Sequence, residues 1–456
     1  LAAARGMEGG WMAGLRNSEK VWVAAEPPAA PDGIDLIVEG IGQLCSVHAP
    51  PWDQQGPRRG AGLRELGMFN GAALAVSAGR IVAVGENEAV QRAVTVGPRT
   101  RRQNLDGRAV VPAFVDPHTH AIFGRTRQDE YERRIRGETY LDIAAGGGGI
   151  HASVRDLRER NEDELVGLGV RRLRRLLSHG TTTVEIKSGY GLTLAAELKM
   201  LRAARRAAAA AGLRTVLTCL AAHEVPAEYR GRRAEYLELV RNVILPAVVR
   251  ERLAQRCDVF CEPTVFNLEE TESLLRAAQA LGLGTTVHAD ELEAFGGAAL
   301  AARLGAQSAD HLIKIDPAGR EALAASPTVA VLLPGTVFTL GLSSYAPARE
   351  LIADGVAVAL ATDYNPGSCP ISSVPLIMAI ACTQMRMEPA EALVAATLNA
   401  AWALGLQADV GSLAPGKWAD FLVLDGDDYR LIPYEAGHNP VVAVYREGCW
   451  VAGKEE

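Results

Sequence analysis

Five of the chain's nine histidines close runs of β-branched and apolar residues. His118 and His120 follow the run from Val110 to Val115, His223 follows Cys219 to Ala222, His288 follows Thr285 to Val287, and His311 follows Ala309 and Asp310. Asp363 ends one more such run. That distribution points to one metal site assembled from several parallel strands. His118 and His120 have the spacing i, i+2, which in a strand puts both imidazoles on one face, close enough to share an ion. Three imidazoles (His118, His120, His288) and the Asp363 carboxylate suit Zn²⁺ or Fe²⁺, with a further position for water or substrate. An ion in such a site lowers the pKa of water toward ~7 and polarises a carbonyl, which supplies a nucleophile without serine or cysteine. The chain shows no Gly-x-Ser-x-Gly elbow and no P-loop, so serine-hydrolase and nucleotide-hydrolase readings lose ground.

Each residue also has a plainer reading. A lone His-x-His is a weak signal. His288 could be a core histidine bonded to backbone, although Asp290 and Glu291 beside it favour solvent or a cation. Asp363 could be an ordinary turn residue before Tyr364-Asn365-Pro366-Gly367. Glu291 could take the proton of a water and pass it to a leaving nitrogen, or could stand in the exposed first turn of a helix. His311 could orient the nucleophile or stabilise developing charge.

The elements that must position these groups alternate. Strand patterns fall at 109–115, 181–187, 214–221, 256–261, 284–288, 306–310, 329–333 and 356–361, with helical patterns between them, as over Leu194 to Ala210 and Glu269 to Leu281. Eight such units over about 300 residues fit a (β/α)8 TIM barrel, usually ~250 residues before insertions. A doubly wound open sheet is the alternative. The barrel is preferred because it converges all of these strand ends on one mouth. Short glycine-punctuated strands over 33–108, with a turn at Ala78-Gly79-Arg80, and again over 406–456 predict a small composite β-sandwich domain built from both ends of the chain, flanking a barrel at 109–405. Residues 1–32, rich in Ala, Gly and Pro, read as a disordered or artefactual extension.

Composition narrows the class further. A chain of 456 residues with 48% apolar and 22% charged residues can bury a large core, and the net charge of −7 gives no basic footprint for nucleic acid. No apolar run is long enough to span a membrane, and the N-terminus lacks a secretory pattern. Seven scattered cysteines, with Cys257 and Cys261 unmatched by a second pair, read as reduced thiols in a cytoplasmic setting.

These stretches resemble the metal-dependent amidohydrolase superfamily and, more narrowly, the imidazolonepropionase family of histidine breakdown. The resemblance spans roughly residues 106 to 450. It is carried by Asp116-Pro117-His118-Thr119-His120 with Arg127, by Tyr140-Leu141-Asp142-Ile143 and Gly146 to Ile150, and by Lys187-Ser188-Gly189-Tyr190-Gly191. Further on, His288-Ala289-Asp290-Glu291, Ser308 to His311, and Thr362-Asp363-Tyr364-Asn365-Pro366-Gly367-Ser368 complete it. The resemblance implies hydrolytic opening of the ring of 4-imidazolone-5-propanoate to N-formimino-L-glutamate. It implies His118, His120, His288 and Asp363 as ligands of one zinc or iron ion per subunit, and Glu291 with His311 as the proton-transfer pair. It implies Arg127, Tyr140, Tyr190, His223, Asn365, Gly367 and Ser368 as substrate contacts, and a homodimer. Arg127 could hold the propanoate arm bidentately, and the tyrosine rings could pack on the flat heterocycle.

Lys187 ends the second strand, whereas related two-metal enzymes bridge their ions with a carbamylated lysine from the fourth, which here ends at Cys261-Glu262. One metal and a structural or electrostatic Lys187 are therefore expected. The glycine run 146–149 could cradle an anion, form a lid or be a plain loop. Three rivals stand beside this reading. A purine or pyrimidine deaminase of the same superfamily would share the ligands but would have no use for Arg127. A non-catalytic scaffold would have lost ligands. A metal-storage protein would need His/Cys-rich tracts that are absent.

Overall fold

The computed structural model describes residues 21–24, 33–50, 56–138, 142–143 and 146–453. Eight parallel strands form one sheet in chain order: Phe114–Asp116, Thr181–Lys187, Arg214–Ala222, Arg256–Cys261, Gly284–Ala289, Ser308–His311, Val329–Leu332 and Val358–Leu360. Most are buried along their whole length, as strands covered on both faces must be. The first and eighth strands are joined through side chain and loop. Asp116 accepts from the Thr362 amide (3.0 Å) and hydroxyl (2.6 Å). Asp363 N donates to His118 O at 3.0 Å, and His120 N to Tyr364 O at 2.9 Å. These bonds bring the first and last strands together as a (β/α)8 barrel requires, and they fall where His118, His120 and Asp363 emerge.

Helices pack outside. Glu162–Ser178 turns Leu165, Leu173 and Leu176 inward and starts on an Asn161–Glu164 capping box. Leu194–Ala211 is capped by Thr193, and Leu268–Ala280 by Asn267 with Glu270. No helix among the described residues is long and apolar enough to cross a membrane.

The second sheet has nine strands drawn from both ends of the chain. Leu36, Val38, Ile41, Leu74 and Val84 from the N-terminal part share one apolar cluster with Phe421, Val423 and Tyr445 from the C-terminal part. Met68–Ser77 and Arg80–Glu86 form a hairpin whose central residues, Ala78 (φ 49°) and Gly79 (φ 74°), both adopt the left-handed conformation a tight hairpin needs.

Two sequence expectations are revised. The run 109–115 is not one strand. Ala109–Pro112 pairs antiparallel with Phe421–Val423 in the terminal sheet, and the barrel strand starts at Phe114. Pro112 has no amide hydrogen to offer, the Ala113 amide makes the last bond of that pairing to Asp420 O at 3.0 Å, and the Phe114 amide turns to Gly180 O at 3.0 Å beside the next barrel strand. Within the stretch expected to be an unstructured extension, Val21–Val23 pairs with Ala83–Gly85. Trp22 packs edge-on against His48 (4.6 Å) and Phe69 (4.9 Å), which anchors that short strand. The remainder of 1–32 lies outside the described residues, apart from Ala24.

Candidate metal centre and active site

The strand ends bring the imidazoles together. His118 Nε2 lies 3.3 Å from His120 Nε2, and each lies 3.6 Å from Asp363 Oδ1. One ligand atom from each of these three residues falls within 4.8 Å of the others, and the same holds for His118, His288 and His311. The His288 ring centroid is 4.5 Å from that of His118 and 5.6 Å from that of His120. All five side chains are buried. Asp363 (φ 52°) and His311 (φ 76°) hold the left-handed backbone conformation, as does Asp290 (φ 50°) beside His288. Non-glycine residues adopt it rarely, and such strain concentrates where side-chain direction matters.

The electrostatics suit a cation. Burial and the neighbouring Lys187 ammonium push His118 well below the usual imidazole range. Burial and His223 do the same to His120, and burial and His288 to His311. Neutral imidazoles keep a lone pair to donate. His288 differs, since burial lowers its proton affinity but the Asp258 carboxylate outweighs burial and holds it above the usual imidazole range; its Nε2 is buried with no hydrogen-bond partner among the described residues. Burial raises Asp363 to about 6 even though Thr336 donates to it at 2.5 Å, so this carboxylate lacks enough positive charge around it. Converging ring nitrogens beside an undercompensated carboxylate fit a bound metal ion.

Beneath them lies a layer of buried charge. Lys187 Nζ sits 2.8 Å from Glu185, 2.9 Å from Asp258 and 3.5 Å from Asp310. Burial lowers its proton affinity, but the three carboxylates together outweigh burial and hold Lys187 above the ordinary lysine range. Asp310 in turn lies 2.6 Å from His118 Nδ1, and Asp258 lies 2.9 Å from His288 Nδ1. Carboxylates behind imidazoles fix the ring orientation and make the opposite nitrogen a better donor. Sequence reasoning singled out Lys187 but missed Glu185 and Asp258 and gave Asp310 no role. The signal was present, since charged residues at alternate positions of an apolar strand, Glu185 and Lys187, must face the same interior.

Glu291 follows on the loop after Ala289. Its carboxylate is 3.5 Å from His311 Nε2 and its side chain is 14% exposed. Burial and the Asp363 carboxylate push it up to about 8. His223 stacks on His120, with centroids 5.1 Å apart and planes at 18°, and its Nδ1–H donates to Gly189 O at 3.1 Å. That bond leaves Nε2 as an acceptor. Tyr190 is buried 5.9 Å from His120 and 5.4 Å from His223. Its loop is held by Glu197, which accepts from the amides of Gly189, Gly191 and Leu192.

Arg127 packs on Gly367, where a Cβ would stand 1.3 Å from Nη2. Its Nε and Nη1 are buried without hydrogen-bond partners among the described residues, and the nearest carboxylate, Glu130, is 3.7 Å away. The Asn365 side chain is engaged within its own loop. Its oxygen accepts from the amides of Gly367, Ser368 and Cys369, and its nitrogen donates to Asp363 O and Ser368 Oγ. This turn therefore shapes the path between Asp363 and Ser368. Arg172 pins the segment after His120 by donating to the carbonyls of Ala121, Phe123 and Gly124. In the glycine run, the amides of Gly146, Gly148 and Gly149 donate to Asp142 O, Ile143 O and Glu130, so these three are not free for an anion. Tyr140 lies outside the described residues.

Residues 109–451 match the model of the amidohydrolase family. The chain is 49% identical over 416 residues to imidazolonepropionase of Symbiobacterium thermophilum, covering 91% of this chain and 96% of that one. It is 46% identical over 406 residues to imidazolonepropionase of Solibacter usitatus, covering 89% and 96%. The chain therefore belongs to the amidohydrolase family and, within it, to the imidazolonepropionases. An adenosine deaminase from Xanthomonas campestris, solved with bound zinc, shares the fold at a TM-score of 0.65 and 21% identity, over 91% of this chain and 92% of that one.

Proposed function

We propose that this chain opens the ring of 4-imidazolone-5-propanoate by hydrolysis, giving N-formimino-L-glutamate, with one zinc or iron ion held by His118, His120, His288 and Asp363. The observation that carries the reading is Arg127. It is a half-buried guanidinium whose buried Nε and Nη1 have no hydrogen-bond partner among the described residues, in the loop after His120 and packed on the turn that follows Asp363. A planar bidentate donor of that kind suits a carboxylate arm, which a bare nucleobase lacks, so the deaminase reading is disfavoured. The identity to imidazolonepropionases over nine-tenths of the chain supports the same substrate.

When bound, the ion supplies a Lewis acid that polarises a carbonyl and lowers the pKa of water toward ~7. The rest falls to the chain. Arg127 orients the propanoate, Tyr190 and His223 line the ring, and Gly367 with Ser368 and Asn365 forms the wall that seats Arg127. Tyr140 is assigned here on its motif alone. Glu291 takes the proton of the attacking water and delivers it to the ring nitrogen as the C–N bond breaks. The acyl carbon becomes a carboxylic acid that gives its remaining proton to solvent, and the released nitrogen becomes the imino end of the formimino group, which stays on the ring's other nitrogen. Its raised proton affinity suits a group that must both accept and release a proton near neutrality. His311 faces Glu291 and steadies charge during that transfer. The same resemblance leads us to assign a homodimer and a cytoplasmic setting.

The test is ring opening by the wild type and by Glu291→Gln, each with bound metal measured. The variant should keep its metal and lose about 10²-fold or more in kcat. Full activity in Glu291→Gln would remove its assigned role, and absence of ring opening in a metal-replete wild type would remove the substrate assignment.

A further inference from the structure

Glu262 follows the fourth barrel strand, Arg256–Cys261, and its side chain is fully buried. No cation pairs with it among the described residues. Its carboxylate is instead held by three successive backbone amides of the next loop. Glu291 N donates at 2.6 Å and Leu292 N at 3.0 Å to one oxygen, and Glu293 N donates at 3.3 Å to the other. At its other end the same loop is tied by Asp290. One Asp290 oxygen accepts from Phe295, Gly296 and Gly297, and the other from Ala298. The backbone of Glu291 thus sits between two acidic anchors, just past a residue in the left-handed conformation. Neither anchor is needed to close the barrel, because Gly284–Ala289 pairs with both neighbouring strands through its own ladder.

An isolated buried carboxylate is unfavourable unless its oxygens are bonded. A neutral side chain of similar size would pack in this place at less desolvation penalty. The geometry points to Glu262 as a positioning residue for the proton transfer, one that fixes the Glu291 backbone so that its carboxylate meets His311 and the reacting atoms. This inference rests on the role proposed for Glu291. It assigns to the end of the fourth strand, where the two-metal enzymes carry a bridging lysine, a different duty in this chain: gripping the fifth-strand loop through its main chain.

A double-mutant cycle tests it, with kcat, KM and bound metal measured for wild type, Glu262→Ala, Glu291→Gln and the pair. Glu262→Gln serves as the conservative variant, since its amide oxygen can still accept from the two nearer amides. Glu262→Ala should keep its metal and a KM within about two-fold of wild type, while kcat falls about 10²-fold, the loss that a misplacement of roughly 1 Å produces. Glu262→Gln should recover most of that loss. In the Glu291→Gln background, Glu262→Ala should cause no further fall in kcat. A full additional loss in that background, or loss of metal in Glu262→Ala and Glu262→Gln alike, would overturn the inference while leaving the role of Glu291 intact. Full activity of Glu291→Gln alone would overturn both.

Discussion

Replacing Gly367 by alanine should separate substrate binding from chemistry. Gly367 does not occupy the left-handed region, so alanine meets no backbone penalty there. The obstacle is Arg127. The added Cβ would lie 1.3 Å from Nη2, 2.1 Å from Cζ and 2.4 Å from Nε. No rotation of a methyl relieves such an overlap, so the guanidinium must leave its seat. If Arg127 binds the propanoate, its displacement removes hydrogen bonds to a charged group, about 1.5–3 kcal/mol. That corresponds to a fall in kcat/KM of about 10- to 150-fold, expressed mainly in KM. The assay is steady-state ring opening, followed on the natural substrate and on an analogue whose propanoate is converted to the amide. Gly367→Ala should approach Arg127→Ala on the acid and should differ little from wild type on the amide. Metal content should not change, since none of the assigned ligands touches the new methyl. A Gly367→Ala enzyme with wild-type KM for the acid would refute the assignment of Arg127, because the steric displacement is unavoidable.

Other outcomes follow from the buried charges. Lys187→Met leaves Glu185, Asp258 and Asp310 without their shared ammonium, so unfolding free energy should fall by about 3–5 kcal/mol, read by thermal or denaturant melts. An unchanged melt would show that the layer is compensated elsewhere. The thiols make a pH prediction. Burial pushes Cys382 up to about 11 and Cys219 and Cys261 to about 12, and it raises Cys45, Cys257 and Cys369 as well. Because the thiolate is the reactive form and appears only as pH approaches the pKa, at pH 9 about 1% of Cys382 is ionised. A thiol reagent should therefore titrate Cys449, the one exposed cysteine among the described residues, well ahead of the rest. Denaturation should then release all seven. Rapid reaction of several thiols in the native enzyme would contradict this packing.

Much of this site can be read from the chain because barrel geometry converts strand ends into neighbours. His118, His120, His288, His311 and Asp363 were visible as polar stops to apolar runs, and the structure brings them together. Periodicity could not show what a strand's interior face meets. Glu185 shares a face with Lys187 by simple alternation, but Asp258 sits inside the apolar run of another strand, and only the assembly of the barrel places it beside Lys187. Glu262 and Glu197 act on backbone amides of segments reached through long-range packing, which leaves no local pattern. The junction at Ala113 was hidden because strands in the two sheets have the same composition. Only the missing amide hydrogen of Pro112 hinted at the break.

One cation held jointly by His118, His120, His288 and Asp363 underlies the proposed hydrolysis. Anomalous diffraction from crystals of the metal-replete enzyme, recorded at the zinc and iron edges, tests it most directly. A single peak at about 2.0–2.2 Å from a nitrogen of each histidine and from the Asp363 carboxylate is the expected result. Two peaks flanking Lys187, or a single peak that His288 or Asp363 does not reach, would contradict it.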